Sequence, residues 1–359
     1  MDNRTIANLR LQNQQLTLQK SVDIHNLAAN LGAVQAQDAA MAKWVFGSRV
    51  AGLKEPDFDE AINSGALIRT HVMRPTWHLV PGENIGHLLD LTAPALKKQL
   101  KTRHAELDLT PALISKCFGV FDKVLSGGNH LTKDELTQEL ANNKINADSS
   151  QMYHLLFLAE IEKLICSGKI KKNKHSYALF YERINNNRKI QREDAIYQLA
   201  KTYFSSRGPA NIKDFSWWSG LGIREASLAN ELVGNGFSGF TKDNSVFIYP
   251  DIMHEETDFT DSAFLLPAFD EFLICYADRS AVITLTDFSK AISSNGIFRP
   301  IIVINGEVAG IWKRETKKDT FQITLQPFKK LSKKHENMLK EKAESFGRFY
   351  GREIRLSGS

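Results

Sequence analysis

Cysteine is scarce in this 359-residue chain. Cys117, Cys166 and Cys275 are odd in number and far apart, with no CxxC spacing. That argues against a disulfide framework and a structural zinc site, so no metal is expected. Long apolar runs are missing too: no stretch approaches the roughly 18 residues of a membrane span. The opening MDNRTIANLRLQNQQL has no apolar segment of the secretory type. Neither charge sign dominates. The net charge is +5, with 24% charged and 42% hydrophobic residues, ordinary values for a globular chain. There is no P-loop, no GxGxxG opening a helix, no HExxH and no GxSxG, which removes the commonest nucleotide, zinc-protease and serine-hydrolase signatures. No cofactor is expected, and the reading is a reduced cytoplasmic protein.

What is present is a repeated pattern. At about 150 residues per domain, the length suggests roughly two to three domains. Three times, helical stretches end in a small-residue turn and an apolar hairpin follows. The turns are Asn63-Ser64-Gly65, Cys166-Ser167-Gly168 and Gly234-Asn235-Gly236. The hairpins are ALIRTHVMRPTWHLV, KIKKNKHSYALF and FSGFTKDNSVFIYP. Helices followed by a two-stranded wing is the winged-helix layout. The third unit is clearest: Ala195, Ile196, Leu199, Ala200, Tyr203 and Phe204 lie at helical spacing. Gly208-Pro209 ends that helix, NIKDFSWWS forms a second, and IREASLANELV follows a Gly220-Leu221-Gly222 turn. In the second unit Thr132 and Glu135 are spaced as a capping box. In the first, helices are expected from Ser21 to about Val34 and from Asp38 to Val50. After Asp261 the style changes to strands: RPIIVI and EVAGIW around Asn305-Gly306, then TFQITLQ, with a tail helix from about Ser332. The expected fold is α+β, with tandem winged-helix units at 1–110, 111–187 and 188–258 and a β-barrel-like domain at 259–359.

Charge is uneven along the chain. From Ile311 to Ser359, 13 Lys/Arg stand against six acids, net +7; the whole chain carries +5, so the first 310 residues carry −2. A basic end suits phosphate contact or a solvated helix face.

Two segments have chemical potential. In LGAVQAQD, Gln35-Ala36-Gln37 lies between two expected helices, with Asp38 as a capping residue. In an extended segment residues i and i+2 share a side, so both amides would be presented together. Each offers two donors and an acceptor, enough to hold a water and a sugar or base edge. A polar inter-helix turn is the bland alternative. In the first wing, Arg69, His71, Arg74, Trp77 and His78 concentrate cations and rings that suit phosphates and exposed bases; packing of the wing on its own domain is the alternative. Trp312-Lys313-Arg314 follows a strand and could reach a backbone phosphate. Trp217-Trp218 reads as core. Asp270, Glu271, Asp278 and Arg279 read as structural pairs rather than acid/base machinery.

These blocks carry a resemblance. LGAVQAQD, RTHVMRPTWHLV, YFSSRGPANIKDFSWWSGL, LLPAFDEFLICYADRS and GIFRPIIVINGEVAGIWKR occur in the order seen in AlkZ/YcaQ-type winged-helix DNA glycosylases, and the similarity spans nearly the whole chain. The resemblance implies hydrolysis of the N-glycosidic bond of N-alkylated purines in double-stranded DNA, in some members including interstrand crosslinks. It implies that Gln35 and Gln37 are catalytic, with Gln37 orienting the attacking water, and that Arg69, His71, Arg74, His78, Trp312, Lys313 and Arg314 contact DNA. Such a protein would be a nucleoid-associated monomer. Pro75 and Trp77 depart from the small residue and the Leu usual in the family wing. The competing reading is a non-catalytic winged-helix DNA-binding protein or transcriptional regulator. IREASLANELV has one Arg and two Glu, a poor composition for reading a major groove.

Overall fold

The computed structural model describes residues 1–17, 23–184, 190–232, 234, 236–251 and 261–357. The fold is mixed α+β and divides into two compact units. One joins Met1–Phe58 to Tyr197–Ser359; the other is Asp59–Ile196.

In the Asp59–Ile196 unit, the helix Glu55–Ser64 closes at Gly65, whose φ of +87° is a left-handed value open to glycine. An antiparallel hairpin follows, Leu67–His71 against Trp77–Pro81, with Thr70 opposite His78. The long helix Ile85–Glu106 leads to three more, Pro111–Leu125, Lys133–Asn142 and Ser149–Ile161. Each of these three starts at a side chain that accepts from its first turn: Thr110, Thr132 and Asp148. The expected Thr132–Glu135 capping box is present. A three-stranded sheet sets Ser176–Leu179 between Leu131–Thr132 and Ile165–Ser167. Here one expectation is corrected. Cys166-Ser167-Gly168 is not a turn between helix and hairpin, because Ile165–Ser167 is itself the buried first strand. Phe121, Leu125, Leu136, Met152, Leu155 and Leu179 build the core, each contributing roughly 1.5–3 kcal/mol by leaving water.

In the other unit, the helices Asn3–Asn13, Ile24–Leu31 and Ala39–Gly47 precede the helices Arg192–Arg207, Ile212–Ser219 and Ile223–Leu232. The first expected helix is shorter than predicted, beginning after the Asp23 cap; Ser21 lies outside the described residues. Ile212–Ser219 starts at an Asn211–Asp214 capping box and ends at left-handed Gly220. The hairpin Phe237–Lys242 with Ser245–Pro250 turns at Asp243 and Asn244, both at positive φ, and the short strand Ala210–Asn211 pairs with its second arm. Val233 and Asn235 of the preceding segment lie outside the described residues.

A curled, open half-barrel completes this unit: Ala263–Leu266, Ile301–Ile304, Glu307–Lys317, Thr320–Pro327 and Glu353–Ser357 in that order. Only the last pairing is parallel. The strand Glu353–Ser357 and the helix Asn3–Asn13 were not anticipated from sequence. Alternation along the strands sends side chains to two cores. Phe264, Leu266, Ile301 and Val303 pack on one face. Ala263, Leu265, Ile302, Trp312 and Ile323 pack on the other, under Leu339, Ala343 and Phe346 of the helix Lys333–Tyr350.

Candidate functional site

The segment Leu31–Asp38 is held from both ends. Helix Ile24–Leu31 stops at Gly32, where φ is +70° and a Cβ would meet Thr202 Cγ2 at 2.7 Å. The chain then extends through Val34–Gln35. Arg207, the last residue of helix Arg192–Arg207, donates from Nη1 to the Leu31 carbonyl and from Nη2 to the Ala33 carbonyl, both at 2.8 Å. The same guanidinium donates to Glu271 Oε2 from Nε at 3.1 Å and from Nη2 at 2.6 Å. Trp218 Nε1 donates to that oxygen at 3.2 Å. The other oxygen, Oε1, accepts the Gln35 backbone N–H at 2.8 Å. On the far side, Asp38 Oδ1 accepts from the N–H groups of Ala40 and Met41 and starts helix Ala39–Gly47. Gln37 therefore sits between two fixed points of backbone.

Arg207 and Glu271 are fully buried. Burial opposes the charge on Arg207, but the Glu271 carboxylate beside it outweighs that and holds the guanidinium above its ordinary pKa. Glu271 accepts four hydrogen bonds, three on Oε2 and one on Oε1, so it positions the strand. Asp270 acts in parallel. Its two oxygens accept from Arg49 Nη1 and Nη2 at 2.9 and 2.8 Å, and Arg49 also donates to the Gln14 carbonyl. Phe269 just before them has φ +58°, a sparsely populated value for a residue with a Cβ. That turn gives the two neighbouring carboxylates their separate arginines. Asp270 and Glu271 were read from sequence as structural, and they are. Arg207 and Arg49 were missed: their partners lie 64 and 221 residues away in the chain.

The other expected site residues separate by burial. Gln35 is buried, 4% exposed, whereas Gln37 is exposed; the expected presentation of both amides together is corrected, because the strand packs its first Gln inward. Both belong to the interrupted unit, while Arg69, His71, Arg74 and His78 belong to the other. His71 is buried and engaged at both nitrogens: Nδ1 with Glu160 Oε2 at 2.5 Å, Nε2 with the Tyr153 hydroxyl at 3.2 Å. Its ring stacks on Phe157 at 4.0 Å. His78 is equally buried, with Nδ1 3.0 Å from the Thr76 carbonyl. As phosphate contacts, both histidines are corrected to hairpin core. Arg69 and Arg74 are partly exposed, and Arg69 stacks 4.1 Å from the Trp77 ring. Trp312 is also corrected: it is buried in the half-barrel and its Nε1 donates to the Leu266 carbonyl at 2.8 Å. Period two then turns Lys313 outward and lays Arg314 near Phe321 and Tyr350. The Trp217-Trp218 pair splits: Trp218 is core, Trp217 is 44% exposed.

The sequence model described as DNA glycosylase AlkZ-like matches residues 28–349. The chain belongs to this family. Members are DNA glycosylases, which hydrolyse N-glycosyl bonds, and the competing non-catalytic reading is set aside. This AlkZ-like chain is similar to a curated protein of Streptomyces sahachiroi described as an interstrand DNA cross-link repair glycosylase. The two are 22% identical over 328 residues, covering 86% of this chain and 87% of the relative. The solved structure of Streptomyces sahachiroi DNA glycosylase AlkZ has the same fold, with TM-score 0.80 and 20% identity over 99% of this chain and 100% of that one. Among the described residues of this AlkZ-like chain, no helix is long and apolar enough to cross a membrane.

Proposed function

We propose that this glycosylase excises N7- and N3-alkylated purines from double-stranded DNA and unhooks interstrand crosslinks, with Gln37 orienting the attacking water and Gln35 supporting its placement. The observation that carries this is the exposed Gln37 held between the Glu271–Arg207 clamp and the Asp38 cap. An N7-alkylated purine is cationic and is already a good leaving group. Water adds to C1′ and gives up a proton to the solvent, the bond to the purine nitrogen breaks, and the purine leaves with the bonding pair as a neutral base. A fixed amide dipole suffices to position the water and favour the electron-poor sugar. A neutral amide is too weak a base to drive loss of an unmodified base, so undamaged DNA is spared. The crosslink assignment follows the description of the Streptomyces relative.

In this reading the helix-and-hairpin sets are winged-helix units at 1–110, 111–187 and 188–258, and 259–359 is the barrel-like domain. Arg69, Arg74, Lys313 and Arg314 neutralise DNA phosphates. The protein works as a monomer on nucleoid DNA in the cytoplasm. The test is excision from duplexes carrying N7-methylguanine or a nitrogen-mustard crosslink. Gln37→Ala is expected to lose about 100-fold in rate, roughly 2.7 kcal/mol of barrier. Full activity in that variant refutes the assignment.

A further inference from the structure

The interrupted unit contains a cavity of about 360 Å³ whose lining includes neither Gln35 nor Gln37. Its lining includes three largely buried aromatic side chains, Trp44, Phe264 and Phe349. Lys54, Lys342 and Arg348 line it as well, and no Asp or Glu does. Among the described residues, none of these three cations forms an ion pair with a carboxylate. Lysines of similar burial elsewhere in the chain are paired, Lys43 with Glu55 and Lys163 with Asp90. Lys342 is half-buried, with its ammonium 5.2 Å from the Phe264 ring centroid. Burial pulls its pKa down, and only the neighbouring Glu341 acts the other way. Arg348 donates to Ser345 Oγ at 2.7 Å, which leaves further N–H donors on its fork.

Lys342 is the one partly desolvated cation of the three, and holding it there without a counter-charge is costly unless an anion joins it, while Lys54 and Arg348 are exposed beside it. The volume falls within the roughly 300–1,000 Å³ of small-molecule sites. Aromatic side chains and unpaired cations lining one cavity fit a ligand with a ring at one end and a strong anion at the other. We propose that this cavity is a nucleotide-binding site, with a phosphate held by Lys342, Arg348 and Lys54 and a base lying against Phe264, Trp44 and Phe349. The nucleotide comes either free in solution or as the 5′-phosphorylated end of a DNA strand. A phosphate in the middle of a duplex does not fit, because its flanking bases are stacked and paired. The proposal is independent of how Gln37 acts.

Calorimetric titration of the full chain tests it, using deoxyadenosine 5′-monophosphate, deoxyadenosine, inorganic phosphate, and a single-stranded oligonucleotide with and without a 5′-phosphate. The monophosphate is expected to bind at least about tenfold more tightly than deoxyadenosine or inorganic phosphate. K342Q and R348Q are each expected to lose about tenfold, and K342R to retain most of the affinity. K54Q, on an exposed side chain, is the variant that keeps the fold undisturbed and still weakens binding. Stronger binding of the phosphorylated oligonucleotide than of the free nucleotide assigns the strand end; the reverse assigns the free nucleotide. Unchanged affinity in all three neutral variants, equal binding of deoxyadenosine, equal binding of inorganic phosphate, or no binding of either phosphorylated probe overturns the site.

Discussion

At the residue scale, the site rests on what Glu271 does with its two oxygens. One holds the Gln35 amide and the other takes the Arg207 guanidinium. Breaking a buried pair from one side strands the remaining charge, which costs about 3–5 kcal/mol. Glu271→Gln is therefore expected to lower unfolding free energy by about that amount in urea titration. An unchanged denaturation midpoint would show the pair to be energetically idle. Glu271→Asp keeps the charge but shortens the reach to Gln35 N–H by one methylene. Its expected signature is slower excision with substrate KM little changed. Equal loss in kcat and in stability, or no loss in either, would remove the positioning role. The exposed Gln37 was legible from sequence as a candidate; its buried supports were not, because a carboxylate and an arginine 64 positions apart advertise nothing locally.

At the element scale, local rules worked wherever partners lie within a few residues. The Thr132–Glu135 box is one case, and Glu135 has a second attachment: Lys171 Nζ donates to it at 2.7 and 2.9 Å. That hydrogen bond, followed by the Thr132 N–H, lowers the Glu135 pKa from 4.5 to about 2. A depressed carboxylate pKa stabilises the fold above the unfolded value and stops doing so as pH falls through the folded one. The contribution is thus complete above pH 4.5 and disappears toward pH 2. Solvent reaches this pair, so the effect is modest. Wild type and Glu135→Gln are expected to differ in melting temperature at neutral pH and to converge over that acidic window; parallel curves throughout would contradict the pairing. Thr132→Ala should cost about 1 kcal/mol through the lost cap, measured by the same melts. The hairpin Leu67–His71 with Trp77–Pro81 shows where local rules stop. Its strands were legible from alternation, but alternation does not say which faces are covered; both are, and they bury His78 on the Thr70 side and His71 on the other.

At the scale of the whole molecule, the chain leaves one unit at Phe58 and returns to it at Tyr197. The excursion has a core of its own, from Leu109 to Leu179. A fragment running from Glu55 to Ile196, which keeps the helix Glu55–Ser64 intact, is expected to unfold cooperatively by itself. A fragment that melts without a sigmoidal transition would show that the excursion depends on the rest of the chain. The interrupted unit is different: Trp44 from near the start packs on Phe346 and Phe349 from near the end, with ring centroids 5.0 and 5.6 Å apart. Neither of its segments can be expected to fold without the other.

Read by itself, the amino-acid sequence determined most of the helices and hairpins, the Thr132–Glu135 and Asp38 caps, the Gln-x-Gln segment and, through five ordered blocks, the kinship with glycosylases. These depend on spacing over a few residues, which the chain carries wherever it goes. Only the tertiary structure decided that Gln35 turns in while Gln37 stays out, that Trp312 belongs to a core, and that Arg207 and Arg49 answer Glu271 and Asp270. Those outcomes depend on which surfaces meet. Burial makes an ion pair specific, and burial is a property of the packed chain rather than of any stretch of it.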